Sequence, residues 1–468
     1  MKIIIISTSD IKGGASKPAY NLHRGLIDLG IESRMMVQKK FSDDLAVLGP
    51  ETKWKKFLNQ LAGPAIEDAA RFLLFKKEDP FKSPAVISSV DFGRLREINP
   101  DIVNVHWFNR GYMKPEDFKK INCPIVWTFH DMWPFCGAEH YVAEGDIRYR
   151  EGYNRGNRPK NQTGLDVDKW VWRRKEKVLK NLKNLTMVAP SRWLTKCAQE
   201  SYLFSAKGGS AYGRKNYPIC TIPYGVNTKI FKPLDKNIAR NILNLPLDKK
   251  IILFGAMNGL DNPRKGFSYL KSAIDCLCSR NSPSPLQGVC NQTGRSEAKT
   301  SVDECDPESI QLCPGTGWGG VCLAIFGASK PKEKIGLNCP IYYLGKFNDD
   351  IALSIVYSAA DVLVAPSIQD NLPNTVLESL ACGTPVVAFN IGGLPDLIEH
   401  QKSGYLARPF EVEDLASGIK WVLDLDYENY QNLCSRAREK CEQEFTIEIQ
   451  AKKYLELYKK IITLSKFR

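Results

Sequence analysis

The pattern of apolar and polar positions along the chain alternates between two periods. Short, nearly unbroken apolar runs at Ile3–Ser7, Ile102–His106, Ile125–Phe129 and Met187–Pro190 have the length of strands buried on both faces. Between them, apolar residues recur every three or four positions, as at Pro18–Leu29 and Val171–Asn181, which predicts amphipathic helices. The second half repeats the theme. Ile251–Gly255, Leu323–Gly327, Ile341–Leu344, Val362–Ala365 and Val386–Phe389 read as strands; Phe267–Cys278, Ile351–Ala359, Asn374–Ala381 and Val412–Leu425 read as helices. A last periodic segment, about Ile447–Ile462, is a Lys-rich amphipathic helix. Strands alternating with helices predict an α/β protein with parallel, doubly wound sheets, which bind ligands at the carboxyl ends of their strands.

Length turns one sheet into two. A chain of 468 residues is too long for a single ordinary core, and a Gly and two Pro residues bracket a polar turn near Tyr224–Asp235. The expected organisation is a first Rossmann-like domain over 1–226, a second over 227–440, and a helical end over 441–468 packing back across both. Residues 280–320 break the pattern. They are rich in Ser, Gly, Pro, Thr and Cys, and they lie where a helix and a strand need only a short connection. This segment is expected to be a disordered surface insertion, with a smaller one at Ser205–Asn216.

Charge adds a partner class. The net charge is +13, but Lys and Arg exceed Asp and Glu by 17 over residues 1–250, fall short by 9 over 251–450, and exceed them by 5 in the last 18. The basic half suits an anionic partner, such as an anionic membrane surface. No nucleic-acid motif is present, so nucleic acid is not expected. Trp170-Val-Trp-Arg-Arg-Lys has the Trp-beside-cation composition of an interfacial helix; the plainer alternative is a helix whose Trp residues pack inward. The apolar start, Ile3–Ile6, is too short for a signal sequence, and no run of 18 apolar residues occurs. A cytoplasmic protein is expected, peripheral at the inner face of the plasma membrane if the basic half binds lipid. The fourteen cysteines form no C-x-x-C pair, and reduced thiols are expected; Cys290, Cys305, Cys313 and Cys322 cluster, but with irregular spacing and no His among them. Neither a metal nor a cofactor is called for.

The densest chemistry lies in Ala365–Phe389. A strand ends, a polar loop carries Asp370, and a helix begins near Asn374 and carries Glu378. A helix N-terminus there aims backbone N–H groups into the cleft, where a phosphate would sit. Taken alone, Asp370 could be an exposed loop acid and Glu378 a solvated helix charge. A second module, Phe254–Phe267, follows a strand and places Arg264 and Lys265 at the mouth of a helix, where a cation can neutralise a leaving diphosphate. In the first half, Gly13-Gly14 follows strand one and lets backbone approach a ligand closely. His130 lies just past a strand end in Trp127–Tyr141, a segment that also holds Asp131, Glu139, His140 and Tyr141.

These motifs, in this order, resemble the large retaining GT-B family that builds bacterial polysaccharides, lipid-linked glycans and sucrose. Its donor signature is an acid, seven residues, then Glu, which Asp370 and Glu378 match. Ala189-Pro-Ser-Arg-Trp193, Ile222–Asn227 and Gly392-Gly393-Leu394-Pro395-Asp396 resemble its smaller turns. The resemblance implies two facing Rossmann-like domains with a cleft between them. It implies a nucleotide-sugar donor and a glycan or polyprenyl-linked acceptor. Asp370 would meet the donor sugar, Glu378 the ribose, and Lys265 the diphosphate. Arg264, Gly14 and the backbone around Asn374, Thr375 and Val376 would complete the donor site, and His130 would help fix the sugar. Gly13, Asp131, Glu139, His140 and Tyr141 fall on the acceptor side. Two departures stand out: Asp370 replaces the usual Glu, and Ala256 replaces an Arg. A nucleotide-sugar epimerase on the same architecture, a glycogen-type phosphorylase with a pyridoxal cofactor, or a degenerate sugar-nucleotide-binding protein are the rival readings.

Overall fold

A computed structural model describes residues 1–75, 82–143, 145–160, 162, 164–205, 217–255, 260, 262–279, 320–331 and 335–466. Ala256, residues 280–319, Cys290, Cys305, Cys313 and nearly all of Ser205–Asn216 lie outside the described residues.

The first half opens with β1 (Lys2–Ser9), α1 (Ser16–Asp28), β2 (Glu32–Lys39) and β3 (Val47–Leu48). There follow α2 (Lys53–Phe57), a π-helical turn (Leu58–Ala62), α3 (Gly63–Phe75), α4 (Phe92–Ile98), β4 (Ile102–Val105) and β5 (Ile125–Thr128). It continues through α5 (Arg148–Glu151), α6 (Val167–Leu179), β6 (Leu185–Ala189), α7 (Arg192–Glu200) and β7 (Ile219–Thr221). The seven strands are parallel in the order β3-β2-β1-β4-β5-β6-β7.

The second half begins with α8 (Lys236–Ile242), β8 (Lys250–Gly255), a short 3-10 turn (Pro263–Lys265) and α9 (Phe267–Ser279). It continues with β9 (Val321–Phe326), β10 (Ile341–Gly345), α10 (Asp350–Ala359), β11 (Val362–Ala365), α11 (Asn374–Ala381) and β12 (Val386–Phe389). The last elements are α12 (Leu394–Leu397), β13 (Gly404–Ala407), α13 (Val412–Leu423), α14 (Tyr427–Glu444) and α15 (Ile447–Lys466). Its six strands are also parallel, in the order β10-β9-β8-β11-β12-β13.

Alternation along single strands explains the layers. Ile4 and Ile6 join the core on one face of the first sheet, while Ile3 and Ile5 join that on the other. Ile251 and Leu253 divide from Ile252 and Phe254 in the same way across the second sheet. Both faces are covered, as a parallel sheet requires.

In each sheet the strand order reverses beside the first strand of its half, at β1/β4 and at β8/β11. Such switch points open a crevice at the carboxyl ends of the strands. Cross-domain hydrogen bonds join residues that follow these ends: Asn374 Nδ2 to the Gly14 carbonyl (3.0 Å), Asn371 Nδ2 to the His130 carbonyl (3.1 Å), Ser191 Oγ to Asn371 Oδ1 (2.6 Å) and Gln369 Nε2 to the Val142 carbonyl (3.1 Å). The two sheets therefore face one another across a cleft, which is the GT-B architecture.

The chain crosses between domains twice. After Thr221 it runs into the second domain, and after α14 it returns, with Val226 and Thr446 paired side by side. Helix α15 then packs on α1 and under the first sheet, where the hydroxyls of Tyr454 and Tyr458 bond Thr128 (3.0 Å) and Asn104 (2.8 Å).

Candidate functional site

The loop after β11 is held from two sides by glycines. A Cβ on Gly266 would lie 1.8 Å from the Pro366 carbonyl oxygen, and Cβ atoms on Gly392 and Gly393 would lie 1.9 and 1.7 Å from the carbonyl oxygens of Asp370 and Asn371. Only glycine lets these three backbones meet, and Gly266 and Gly392 also adopt positive φ (69° and 54°). The turn at Pro263–Gly266 and the loops after β11 and β12 are thereby fixed as one unit around Asp370.

Asp370 is buried, and its Oδ2 accepts from Lys265 Nζ at 2.6 Å. Arg264 Nη1 lies 3.9 Å from Oδ1 and donates to the Gln369 carbonyl at 3.0 Å. Burial by itself would raise the Asp370 pKa; the Lys265 and Arg264 charges and the Asn371 amide outweigh it and hold the carboxyl below its ordinary range. The carboxylate is thus ionised and placed beside two cations at the carboxyl end of the switch strand.

Glu378, one turn into α11, is also buried. Its Oε2 accepts from the Tyr357 hydroxyl (2.8 Å), and its Oε1 accepts from Lys17 Nζ (2.6 Å), which comes from α1 of the other domain. Lys17 also donates to Asp350 Oδ1 (2.7 Å) and lies over the Phe231 ring. Burial would lower the Lys17 pKa, but the Glu378 and Asp350 charges raise it above its usual value. At the start of α11 the Val376 amide is already donated to the Pro373 carbonyl (3.1 Å). The first two amides, of Asn374 and Thr375, have no acceptor inside the helix and leave the kind of N-terminal end that suits an anion. Gly13 (φ 112°) and Gly14 stand opposite them, and a Cβ on Gly14 would meet nothing within 4 Å.

His130 bridges two groups: its Nδ1 and the Tyr224 hydroxyl are 2.6 Å apart, and its Nε2 and His106 Nδ1 are 3.0 Å apart. Burial lowers its pKa to about 4, so the ring is neutral at pH 7. The following acid, Asp131, accepts from the Trp133 amide (3.0 Å) and Trp107 Nε1 (3.2 Å) and bonds His140 Nδ1 (2.7 Å). His140 Nε2 in turn meets Ser83 Oγ at 2.8 Å. This buried relay orders the 131–141 loop. At its end Tyr141 carries the Arg264 guanidinium over its ring (4.8 Å) and stacks on Trp193.

The structure brings together His130, Asp131, Tyr141, Arg264, Lys265 and Asp370 in one part of the cleft, and Gly13, Gly14, Asn374, Thr375 and Glu378 in another. Glu139 does not join them. Its carboxyl lies against α6, bonded to Tyr153 and beside Asp168, and burial together with the Asp168 charge raises its pKa to about 8. Lys17 and Tyr357 were not singled out in the sequence, and Asn371 and Ser191 were given no role although they lie within the Ala365–Phe389 and Ala189–Trp193 motifs. Lys17 lies three residues beyond the Gly13-Gly14 pair at the opening of a helix.

Among the described residues no group of three or more His, Cys, Asp or Glu is placed to hold a metal ion, and no helix is long and apolar enough to cross a membrane.

Residues 324–440, which span β9 to α14, match the family described as glycosyl transferases group 1. The chain is 28% identical over 214 residues to the D-inositol 3-phosphate glycosyltransferase of Acidothermus cellulolyticus, covering 46% of this chain and 42% of that protein. It is 36% identical over 114 residues to the sulfoquinovosyl transferase of Arabidopsis thaliana, covering 24% of this chain and 22% of that protein. The chain thus aligns with less than half the length of these relatives. Whole-chain similarity is structural: sucrose-phosphate synthase from Thermosynechococcus elongatus superposes with a TM-score of 0.58 at 18% identity over 99% of both chains. HepE of Anabaena, solved in complex with UDP-glucose, gives 0.55 at 15% identity over 98% of this chain and all of the other.

Proposed function

We propose that this protein is a retaining glycosyltransferase that moves a hexosyl group from a nucleotide sugar to a hydroxyl of a glycan or polyprenyl-linked acceptor in cell-surface or exopolysaccharide assembly. One observation carries this reading: Asp370 and Glu378, on the loop and helix of the segment that matches group 1 glycosyl transferases, are both buried in the cleft. Lys265 is bonded to the first and Lys17 to the second. The UDP-glucose complex of HepE, on the same fold, supports a nucleotide-sugar donor.

In this reading Glu378 accepts the ribose hydroxyls. The diphosphate lies between Lys265 and the first amides of α11, and Asp370 orients the sugar. The sugar–phosphate bond lengthens, and charge leaving with the diphosphate is met by Lys265, Arg264 and the helix end. The acceptor hydroxyl attacks the same face, and the departing phosphate takes its proton. The reaction needs no separate base and no metal. A neutral His130, held by Tyr224 and His106, sits at the sugar as a hydrogen-bonding group. The arm of Asp370, shorter than the Glu usual in the resembled signature, alters the preference among donor sugars. The protein acts in the cytoplasm, at the inner face of the membrane.

The test is nucleoside diphosphate release from separate nucleotide sugars, with host membranes supplying the acceptor. Glu378→Ala removes hydrogen bonds to a charged group, about 1.5–3 kcal/mol, and should weaken donor binding roughly tenfold or more. Lys265→Ala should lower kcat by about 100-fold to 1,000-fold. Formation of a new nucleotide sugar without acceptor, with no net nucleoside diphosphate release, would replace this reading by an epimerase. Neither release nor nucleotide binding would leave a degenerate site.

A further inference from the structure

Residues 53–75 form a nearly continuous helix of α2, one π turn and α3, whose amphipathic order is reversed up to its last turn, where Leu74 and Phe75 pack on the core. Before that turn the fully buried positions are Asn59, Gly63 and Glu67. Asn59 is buried and donates to the Lys55 carbonyl (2.9 Å), while Ser89 Oγ donates to Asn59 Oδ1 (2.9 Å). Glu67, equally buried, accepts from the amides of Ala85 (2.5 Å) and Val86 (3.0 Å). Between them Gly63 lies against backbone: a Cβ on Gly111 would come within 2.5 Å of the Gly63 oxygen.

The face turned to solvent is apolar. Trp54 is 69% exposed, Phe57 48%, Leu61 64%, Ile66 47%, Phe72 62% and Leu73 79%. An ordinary surface helix buries its apolar stripe and shows its polar one, and a contiguous exposed stripe marks an interaction surface.

Charge indicates the occupant. Lys53 and Lys56 are exposed on either side of Trp54. The nearby acids are taken up elsewhere: Glu67 points inward, Asp68 meets Arg71 (3.6 Å) and Arg110 (3.5 Å), and Glu51 meets Arg94 (2.7 Å). Trp and aliphatic side chains on one face with lysines at its edge suit the interface of an anionic bilayer. Helix α6, the segment whose sequence suggested such a role, serves it poorly. Its Trp172 is buried against Tyr153 and Tyr202, and its half-exposed Trp170 carries the Arg174 guanidinium.

We infer that the outward face of residues 53–75 is the surface by which this protein docks on an anionic lipid membrane. The segment packs on Gly111 and Ser89, and Gln38, near the carboxyl end of β2, bonds the Arg110 carbonyl (3.0 Å). The stripe therefore lies at the cleft-facing end of the first sheet. The inference deepens the reading above, on which it rests only for the value of holding a lipid-linked acceptor near the cleft.

The test is co-sedimentation of the full chain with vesicles of phosphatidylcholine alone and of phosphatidylcholine mixed with phosphatidylglycerol. Binding is expected to the anionic vesicles, falling with added salt. The triple variant Trp54→Ser, Phe72→Ser, Leu73→Ser should weaken it roughly tenfold or more, with unchanged circular dichroism and melting. Trp170→Ser should bind as the parent does. Equal binding by the triple variant, a loss in Trp170→Ser matching that of the triple variant, or no vesicle binding by the parent would overturn the inference. So would a dimer in ultracentrifugation that the triple variant disperses, since the stripe would then cover a second copy. No donor is used, so failure here leaves the proposed reaction untouched, and failure of the reaction leaves the docking result standing.

Discussion

Replacing Lys17 by Met removes a cation that ties the two domains together. Its Nζ sits 2.6 Å from Glu378 and 2.7 Å from Asp350, and its side chain is 18% exposed, against 6% and 36% for its partners. Removing one member of a well-buried pair costs about 3–5 kcal/mol, whereas a surface pair contributes about 0–1 kcal/mol. This contact lies between the two, and about 2 kcal/mol is the expected loss, a factor of roughly 30 in an equilibrium constant. Lys17 is on α1 and both acids belong to the second domain, so the whole loss falls on the closed arrangement. The raised pKa keeps the lysine charged through the neutral range. Lys17→Met should therefore lower kcat/KM by roughly 30-fold and increase the radius of gyration in solution, while Lys17→Arg retains part of both. Steady-state kinetics with a competent donor, nucleotide titration and small-angle scattering provide the readouts. Unchanged kcat/KM and scattering would refute the tie. Tighter nucleotide binding in Lys17→Met would refute it differently, since the lysine would then compete with the ribose for Glu378.

Other expectations follow from the same geometry. Gly392→Ala would put a Cβ 1.9 Å from the Asp370 oxygen at a positive φ; it should displace the Asp370 loop, abolish activity and destabilise the fold by about 3 kcal/mol or more, measured by denaturant unfolding. His23 is fully buried, and burial, partly offset by the Asp44 charge, lowers its pKa from 6.5 to about 4. The unfolded chain takes up this proton below pH 6.5 and the folded chain only near 4, so His23 contributes stability above pH 6.5 that is lost as pH falls toward 4, about 3 kcal/mol in all. Unfolding free energies measured across that window should fall, and less so in His23→Asn. Because His130 is likewise neutral down to about pH 4, kcat/KM should show no ionisation near pH 6.5 that His130→Ala removes.

Buried strands were legible where their apolar runs are continuous: β11 and β12 begin and end where the sequence placed them, and α11 does as well. The elements that escaped carry weak patterns. Strand β2 mixes Glu, Ser, Arg and Gln with its Met and Val residues, β13 opens on Gly and buries only its two end residues, and β7 has only three residues. Helix α14 buries a stripe one residue wide, at Tyr430, Leu433, Ala437 and Cys441. The helix at 53–75 has helical apolar spacing, but periodicity does not record that this face turns outward. At the site, the acids and cations could be found because chain order places them after strand ends. The partners of Glu378 could not, because Lys17 and Tyr357 reach it from another domain and another helix, and sequence separation records neither approach.

The return of the chain into the first domain has a consequence for its birth. The floor of the first sheet is completed by Tyr454 and Tyr458, which are fully buried beneath Thr128 and Asn104. These residues are synthesised after the whole second domain. During translation, the first domain waits with that cluster incomplete, lacking Ala451, Tyr454 and Tyr458, and the second domain can fold before the first is closed. A ribosome stalled before α15 should therefore display a protease-sensitive first half beside a resistant second half, reversing the usual order in which N-terminal units mature.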